Sequence, residues 1–61
     1  MSLFQELLEA SLASKRGLTF YLNGQTVVGY VTKIGERTVE VRNQQYDRVI
    51  LLLDRIDGVA Q

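Results

Sequence analysis

Residues 18–43 read LTFYLNGQTVVGYVTKIGERTVEVRN, and this stretch decides the fold. From Leu18 to Leu22, apolar residues alternate with others, which is typical of a strand with one buried face. Asn23-Gly24 is a strong signal for a two-residue hairpin turn. The isolated Gly29 indicates a strand that bends sharply or lets another backbone approach closely. The stretch therefore predicts a small, strongly bent antiparallel sheet.

The flanking residues predict a helix before this sheet and more strands after it. Ser2 with Gln5 is a capping-box signature, apolar residues follow at helical spacing, and Gly17 is expected to supply a left-handed C-terminal stop. The expected fold is mainly β, an N-terminal α-helix followed by a five-stranded, strongly bent antiparallel sheet. We predict one domain over residues 1–61, with a helix at about 3–15 and strands at about 18–23, 25–34, 37–43, 47–53 and 56–60.

The composition favours self-assembly. A chain of 61 residues buries only about 60% of the surface that its unfolded form exposes, so its core is marginal. Cysteine and histidine are both absent, which excludes disulfides and the usual zinc sites. Residues 48–53, RVILLL, form a continuous apolar run after Arg48, and one small sheet cannot cover both faces of such a strand. A neighbouring subunit could cover it.

Charge and motif content narrow the possible functions. Seven basic and seven acidic residues cancel, so no global positive field attracts nucleic acid. The carboxylates are scattered over turns without a nucleophile motif, so we expect neither an enzyme nor a cofactor, and no metal or catalytic residue. No segment approaches the roughly 20 apolar residues that span a bilayer, and no signal peptide is evident. We expect a soluble cytoplasmic protein with no membrane partner.

A helix followed by five bent strands resembles the Sm-like family of RNA-binding ring proteins, which includes Hfq. The local motif is similar too: the first strand ends in Tyr21-Leu22, Asn23-Gly24 and Gly29 follow, and the third strand ends at Asn43. The similarity covers about residues 4–60. It implies a small barrel and a homo-oligomeric ring, hexameric or heptameric, in which the fourth strand of one subunit pairs with the fifth strand of the next. The interface would then include Val49, Ile50, Leu51, Leu52, Leu53, Ile56 and Val59.

The resemblance also implies binding of single-stranded RNA, by a post-transcriptional regulator or RNA chaperone. Tyr21 matches a tyrosine of the distal face of Hfq that stacks on purine bases, and amides beside it suit base edges. Arg37 and Arg55 lie in turns that would approach the pore of a ring, where they could hold phosphates. The candidate RNA-binding residues are Tyr21, Asn23, Gln25, Thr26, Arg37, Arg55, Lys15 and Arg16.

Departures from the family pattern keep other readings open. The turn Gly35-Glu36-Arg37 has glycine where the family usually has aspartate, and Leu53-Asp54 replaces the Lys-His pair of Hfq. One alternative is an Sm-fold ring that has lost RNA binding and serves as a protein-interaction scaffold. Another is a small SH3-like barrel that acts as an oligomerisation module.

Each candidate residue also has a purely structural explanation. Tyr21 could pack across the sheet against Tyr30. Arg37 and Arg55 could form ion pairs with Glu36 and Asp54, respectively. Lys15 and Arg16 could do no more than compensate the helix dipole.

Overall fold

The computed structural model describes residues 2–61 and is mainly β, with one N-terminal helix and a five-stranded antiparallel sheet. The predicted elements are all present, and several are shorter than expected. Their bounds are α1 Leu3–Ser14, β1 Leu18–Leu22, β2 Gln25–Ile34, β3 Thr38–Arg42, β4 Val49–Leu52, a 3₁₀ turn Leu53–Arg55 and β5 Gly58–Ala60.

Strand β2 joins the two halves of the sheet, whose order is β4-β3-β2-β1-β5. Residues 25–29 of β2 pair with β1, and its pairing with β3 begins at Tyr30 opposite Arg42. Gly29 lies at this junction, where a Cβ atom would stand 2.7 Å from the carbonyl oxygen of Arg42. The close backbone approach predicted for this glycine is therefore confirmed. The expected closure into a small barrel is not found, because β4 and β5 remain as separate edges.

The hairpin between β1 and β2 has the predicted turn. Asn23 and Gly24 have φ angles of 49° and 79°, as a type I′ turn requires at both central positions. A second contact holds this turn from the side of β5, since the Asn23 amide donates to Asp57 Oδ2 at 2.9 Å. The Asp57 amide donates in turn to the Tyr21 carbonyl at 2.7 Å. The tip of the hairpin is thus fixed by the segment that enters β5.

Helix α1 begins as predicted and ends earlier than predicted. Ser2 caps its N-terminus, with the Gln5 amide donating to Ser2 Oγ at 3.1 Å. The left-handed residue at its C-terminus is Lys15, with φ 58°, and the prediction of Gly17 for this role is wrong. The Lys15 amide donates to the Ser11 carbonyl at 2.7 Å and Ser11 Oγ donates to the Arg16 carbonyl at 2.6 Å, so the helix end is closed before the chain reaches Gly17.

The core lies between α1 and the inner face of the sheet. The fully buried apolar side chains are Leu8, Leu18, Phe20, Val31, Val39, Val41 and Leu51. Ser11 is buried among them and makes two hydrogen bonds, because its hydroxyl also accepts from the Val31 amide at 2.8 Å. Val31 lies just past the last β2 residue that pairs with β1, so Ser11 supplies the partner that β1 no longer provides. Helix and sheet are joined at this point.

The RVILLL segment forms an edge strand with one buried side chain. Leu51 is buried in the chain's own core, whereas Ile50 and Leu52 are 53% and 46% exposed. Strand β4 pairs only with β3, and its other edge carries no strand within residues 2–61. The expectation that one subunit cannot cover this segment is confirmed for Ile50 and Leu52 and is wrong for Leu51.

Candidate functional site

Tyr21 lies on the outer face of β1 and is 45% exposed. Its cross-strand neighbours are Thr26 on β2 and Gly58 on β5. Because a Cβ atom on Gly58 would lie only 3.9 Å from Tyr21 Cδ2, the ring stands beside a residue with no side chain. Tyr30 lies beyond the part of β2 that pairs with β1, so it is not a cross-strand partner of Tyr21, and the alternative of cross-strand packing between the two is wrong. The Tyr21 ring is left accessible to a planar partner.

The other candidates of the first hairpin lie close to Tyr21. Asn23, Gln25 and Thr26 are all exposed, and Gln25 and Thr26 begin β2 directly after the turn. The backbone of Asn23 is held by Asp57, which leaves its side-chain amide at the surface. The register places only uncharged residues on the outer face of this half of the sheet, namely Thr19, Tyr21, Thr26, Val28, Gly58 and Ala60. This hairpin face, defined by those six residues, offers stacking and hydrogen bonding but no charge.

Arg37 and Arg55 lie on two turns that touch each other. The Leu53 amide, at the start of the 3₁₀ turn that contains Arg55, donates to the Arg37 carbonyl at 2.8 Å. Both arginine side chains are exposed. The predicted ion pairs with Glu36 and Asp54 are absent from the part of the chain that the structure describes, where the ion pairs are Arg42–Asp47 and Arg48–Glu40. Both guanidinium groups are therefore available for an anionic ligand.

Lys15 and Arg16 are separated from the hairpin by the length of β1. They precede β1, whereas Asn23 follows it, so the structure does not bring the two sets of candidates together. Arg16 Nη1 donates to Gln61 Oε1 at 3.3 Å, which links the end of the helix to the C-terminal residue. Lys15 provides the left-handed turn at the helix end.

The predicted interface residues lie on the two edge strands and in the segment that connects them. Val49, Leu53, Ile56 and Val59 are half-buried and pack against the core of their own chain. Only Ile50 and Leu52 present substantial apolar surface outward, both from β4. The opposite edge is β5, which contains Val59. The apolar surface available to a neighbour is thus concentrated on one edge.

A charged network on β2 and β3 was not predicted. Glu40 accepts from Thr32 Oγ1 at 2.8 Å and pairs with Arg48 at 3.2 Å. The neighbouring Tyr30 hydroxyl, together with the carboxylate of Asp47, holds the pKa of Arg42 above its usual value. Arg42 is paired with Asp47 at 3.7 Å, so the charges of this network occur in pairs of opposite sign. Within residues 2–61, no cluster of three or more metal-ligating side chains is present.

Asn43 holds the turn between β3 and β4 through side-chain hydrogen bonds that were not predicted from the sequence. Its Oδ1 accepts from the amides of Gln45 and Tyr46 at 3.0 and 2.8 Å, and its Nδ2 donates to the Val28 carbonyl at 2.8 Å. The turn holds Tyr46 beside an open groove, with the ring 58% exposed. An asparagine side chain at the start of a polar turn often bonds to backbone amides further along the turn, and this signal could have revealed the bonds to Gln45 and Tyr46.

No helix in the described part of the chain has the length and apolar character needed to cross a membrane. Comparisons of this chain with protein-family models, with curated proteins and with solved structures gave no match.

Proposed function

We propose that this chain assembles through its two sheet edges into a closed ring and that the ring binds single-stranded RNA. The observation that carries the proposal is the exposed Tyr21 ring beside Gly58, on an uncharged face at the end of a rigid hairpin. Such a protein would act in the cytoplasm as a post-transcriptional regulator or RNA chaperone. Its resemblance to the Sm-like family extends to the order of its elements and to the glycine at the junction of the sheet.

Assembly is supported by the unequal edges of the sheet. Strand β4 exposes Ile50 and Leu52 beside an open row of backbone groups, and open apolar edges favour pairing with another chain. Pairing of β4 with β5 of a second copy joins two different surfaces, and this head-to-tail arrangement gives a ring when its rotation closes. A ring would also bury the side chains that a chain of this size cannot bury alone.

A single charge on β4 tests the assembly. Leu52→Lys places an ammonium group in the proposed interface and should dissociate the ring into smaller species in sedimentation velocity. Leu12→Lys is the matched control, because Leu12 is similarly exposed at 42% and lies on α1, not on either edge strand. An unchanged sedimentation coefficient for Leu52→Lys would contradict the proposed interface.

RNA binding is supported by the complementary chemistry of the two candidate surfaces. Base stacking on an aromatic side chain contributes about 1–3 kcal/mol per base. Arg37 and Arg55 lie on adjoining turns without an ion pair among the described residues, and each would be repeated around a ring. Repetition converts weak contacts into avidity, which offsets the zero net charge of the chain.

Fluorescence anisotropy with labelled A-rich and U-rich oligonucleotides at low salt tests RNA binding. Tyr21→Ala should weaken binding at least tenfold, since stacking is lost at several equivalent sites. Tyr46→Ala is the control, because Tyr46 is also an exposed tyrosine and lies outside the hairpin face. Arg37→Ala should reduce the dependence of affinity on salt. No measurable affinity for either oligonucleotide would overturn the RNA proposal and leave the assembly proposal standing.

The second candidate is a ring that serves as a protein-interaction scaffold. Zero net charge and the absence of charged side chains on the hairpin face favour it. Ribonuclease treatment separates the two functions: a defined protein partner that is retained after digestion supports the scaffold, and loss of all bound material supports RNA.

A further inference from the structure

The first half of β2 has an open edge of its own. A two-residue hairpin makes Leu22 and Gln25 a hydrogen-bonded pair, so the backbone groups of every second residue point away from the partner strand. On β2 these residues are Thr26 and Val28. Two bonds confirm this orientation: the Val28 carbonyl accepts from Asn43 Nδ2, and the carbonyl of Tyr21, which lies opposite Thr26, points towards β5 and accepts from Asp57.

Three backbone groups on this edge have no partner among residues 2–61. Pairing with β3 begins only at Tyr30, so no strand lies beside Thr26 and Val28 on this side. Asn43 satisfies the Val28 carbonyl alone. The Thr26 amide, the Thr26 carbonyl and the Val28 amide remain, giving donor, acceptor and donor over about 7 Å of strand. This is the pattern that an incoming strand satisfies.

The groove beside this edge is mainly apolar, and hydrogen bonds hold one of its walls. Its lining includes Val27, Val28, Tyr46 and Val49. The Asn43 hydrogen bonds fix the turn that forms one wall. Arg42 also lines the groove, and it is paired with Asp47 at 3.7 Å. The groove therefore offers apolar contact and unsatisfied backbone groups, with its single cation already compensated.

We propose that the open edge at Thr26 and Val28 binds an extended, uncharged segment of a partner protein, which adds as a strand and places one side chain in the groove. Strand addition takes its affinity from backbone hydrogen bonds and its specificity from side-chain pockets, and both are provided here. A phosphate would find no uncompensated cation in the groove, so the charge pattern favours a peptide over RNA. This site shares Thr26 and Val28 with the hairpin face, but it uses their outward backbone groups and not the Tyr21 ring, so it does not depend on RNA binding.

Asn43 sets the length of the added strand. Its amide stands where the next residue of an incoming strand would donate to the Val28 carbonyl. The added ladder is therefore limited to three hydrogen bonds. Affinity is modest for one site and increases in a ring, where several edges can be occupied by a repetitive or multivalent partner.

The test uses an eight-residue peptide of alternating valine and threonine, with its N-methylated counterpart as the control. In amide-resolved NMR titrations, the unmodified peptide should shift the Thr26 and Val28 signals and slow their hydrogen exchange. The N-methylated peptide keeps the side chains but cannot donate to the Thr26 carbonyl, and its methyl groups keep its backbone from approaching this edge, so it should produce neither effect. Equal binding of both peptides, or no shift at Thr26 and Val28 at millimolar peptide, would overturn the proposal.

Two substitutions in the protein, instead of in the peptide, test the same edge. Thr26→Pro removes the outward amide without breaking a bond to β1, and proline is tolerated at such edge positions. It should weaken peptide binding about fivefold, the typical effect of one hydrogen bond. Thr26→Val keeps the amide and should bind as the original chain does. Displacement of the peptide from the Tyr21→Ala chain by an A-rich oligonucleotide would assign the groove to RNA and overturn the proposal. If Thr26→Pro fails to fold, the comparison of the unmodified and N-methylated peptides on the unsubstituted chain decides whether the proposal holds.

Discussion

Gly29→Ala would force β2 and β3 apart at the junction of the sheet. The new Cβ atom would lie 2.7 Å from the carbonyl oxygen and 3.2 Å from the carbonyl carbon of Arg42, and both are backbone atoms that cannot rotate away. Overpacking of this kind costs about 1–3 kcal/mol. Gly29 is outside the left-handed region, so alanine can adopt its backbone conformation without strain. Because alanine also lowers the conformational entropy of the unfolded chain, it restores about 0.4–1 kcal/mol of the free energy of unfolding. The expected net loss is about 1–2 kcal/mol.

Gly17→Ala is the matched control and should change stability in the opposite direction. A Cβ atom on Gly17 would meet nothing within 4 Å, and the residue is also outside the left-handed region. Only the entropy term then remains, and we expect a gain of about 0.4–1 kcal/mol. The free energies of unfolding of both variants are measured by urea unfolding, monitored by circular dichroism. The chain concentration is kept fixed, because assembly adds to the apparent stability. A Gly29→Ala chain as stable as the original would refute the close-approach argument.

Three further substitutions test contacts that hold the fold, each by urea unfolding. Ser11→Ala leaves the buried amide of Val31 and the Arg16 carbonyl without their partner and should cost about 2–3 kcal/mol. Ser14→Ala is its exposed control and should stay within about 0.5 kcal/mol, so similar losses for the two would argue against the Ser11 bridge. Ser2→Ala removes the helix cap and should cost about 1 kcal/mol, and no loss would mean that this cap is dispensable. Asp57→Ala frees the Asn23 amide at an exposed site and should cost about 0.5–1 kcal/mol, with a larger loss indicating that the hairpin itself has opened.

The sheet was predictable because local chemistry and tertiary structure agree along it. Asn23-Gly24 can form a type I′ turn with little strain, and the alternation on either side selects the inner face. Gly29 was identified as a point of close approach, which the contact with Arg42 confirms. The bounds of β2 match the prediction at both ends.

The details that sequence reasoning missed depend on contacts between distant residues. Ser11 appeared to be an ordinary helical serine, yet its hydroxyl replaces a strand hydrogen bond at Val31, 20 residues later. That same hydroxyl donates to the Arg16 carbonyl just after the helix end. The left-handed residue there is Lys15 and not the predicted Gly17. No local pattern encodes such a contact, because the sequence shows only which residue types are present and not which of them meet.

The candidate site was predictable in its parts and not in its arrangement. Tyr21 was expected on an outward face, and it is there. The proximity of the turns that carry Arg37 and Arg55 depends on the Leu53–Arg37 backbone contact, and the open edge at Thr26 depends on where β3 leaves β2. Both depend on how the strands pair in the folded chain, and this pairing cannot be read from the sequence alone.

The mass of the purified protein in native mass spectrometry, recorded before and after ribonuclease treatment, tests the central proposal most directly. We predict a closed assembly of several copies of the 6.9 kDa chain. On digestion this assembly should lose its bound nucleic acid and keep its number of subunits. A 6.9 kDa monomer at micromolar concentration, with no larger species and no nucleic acid, would contradict it.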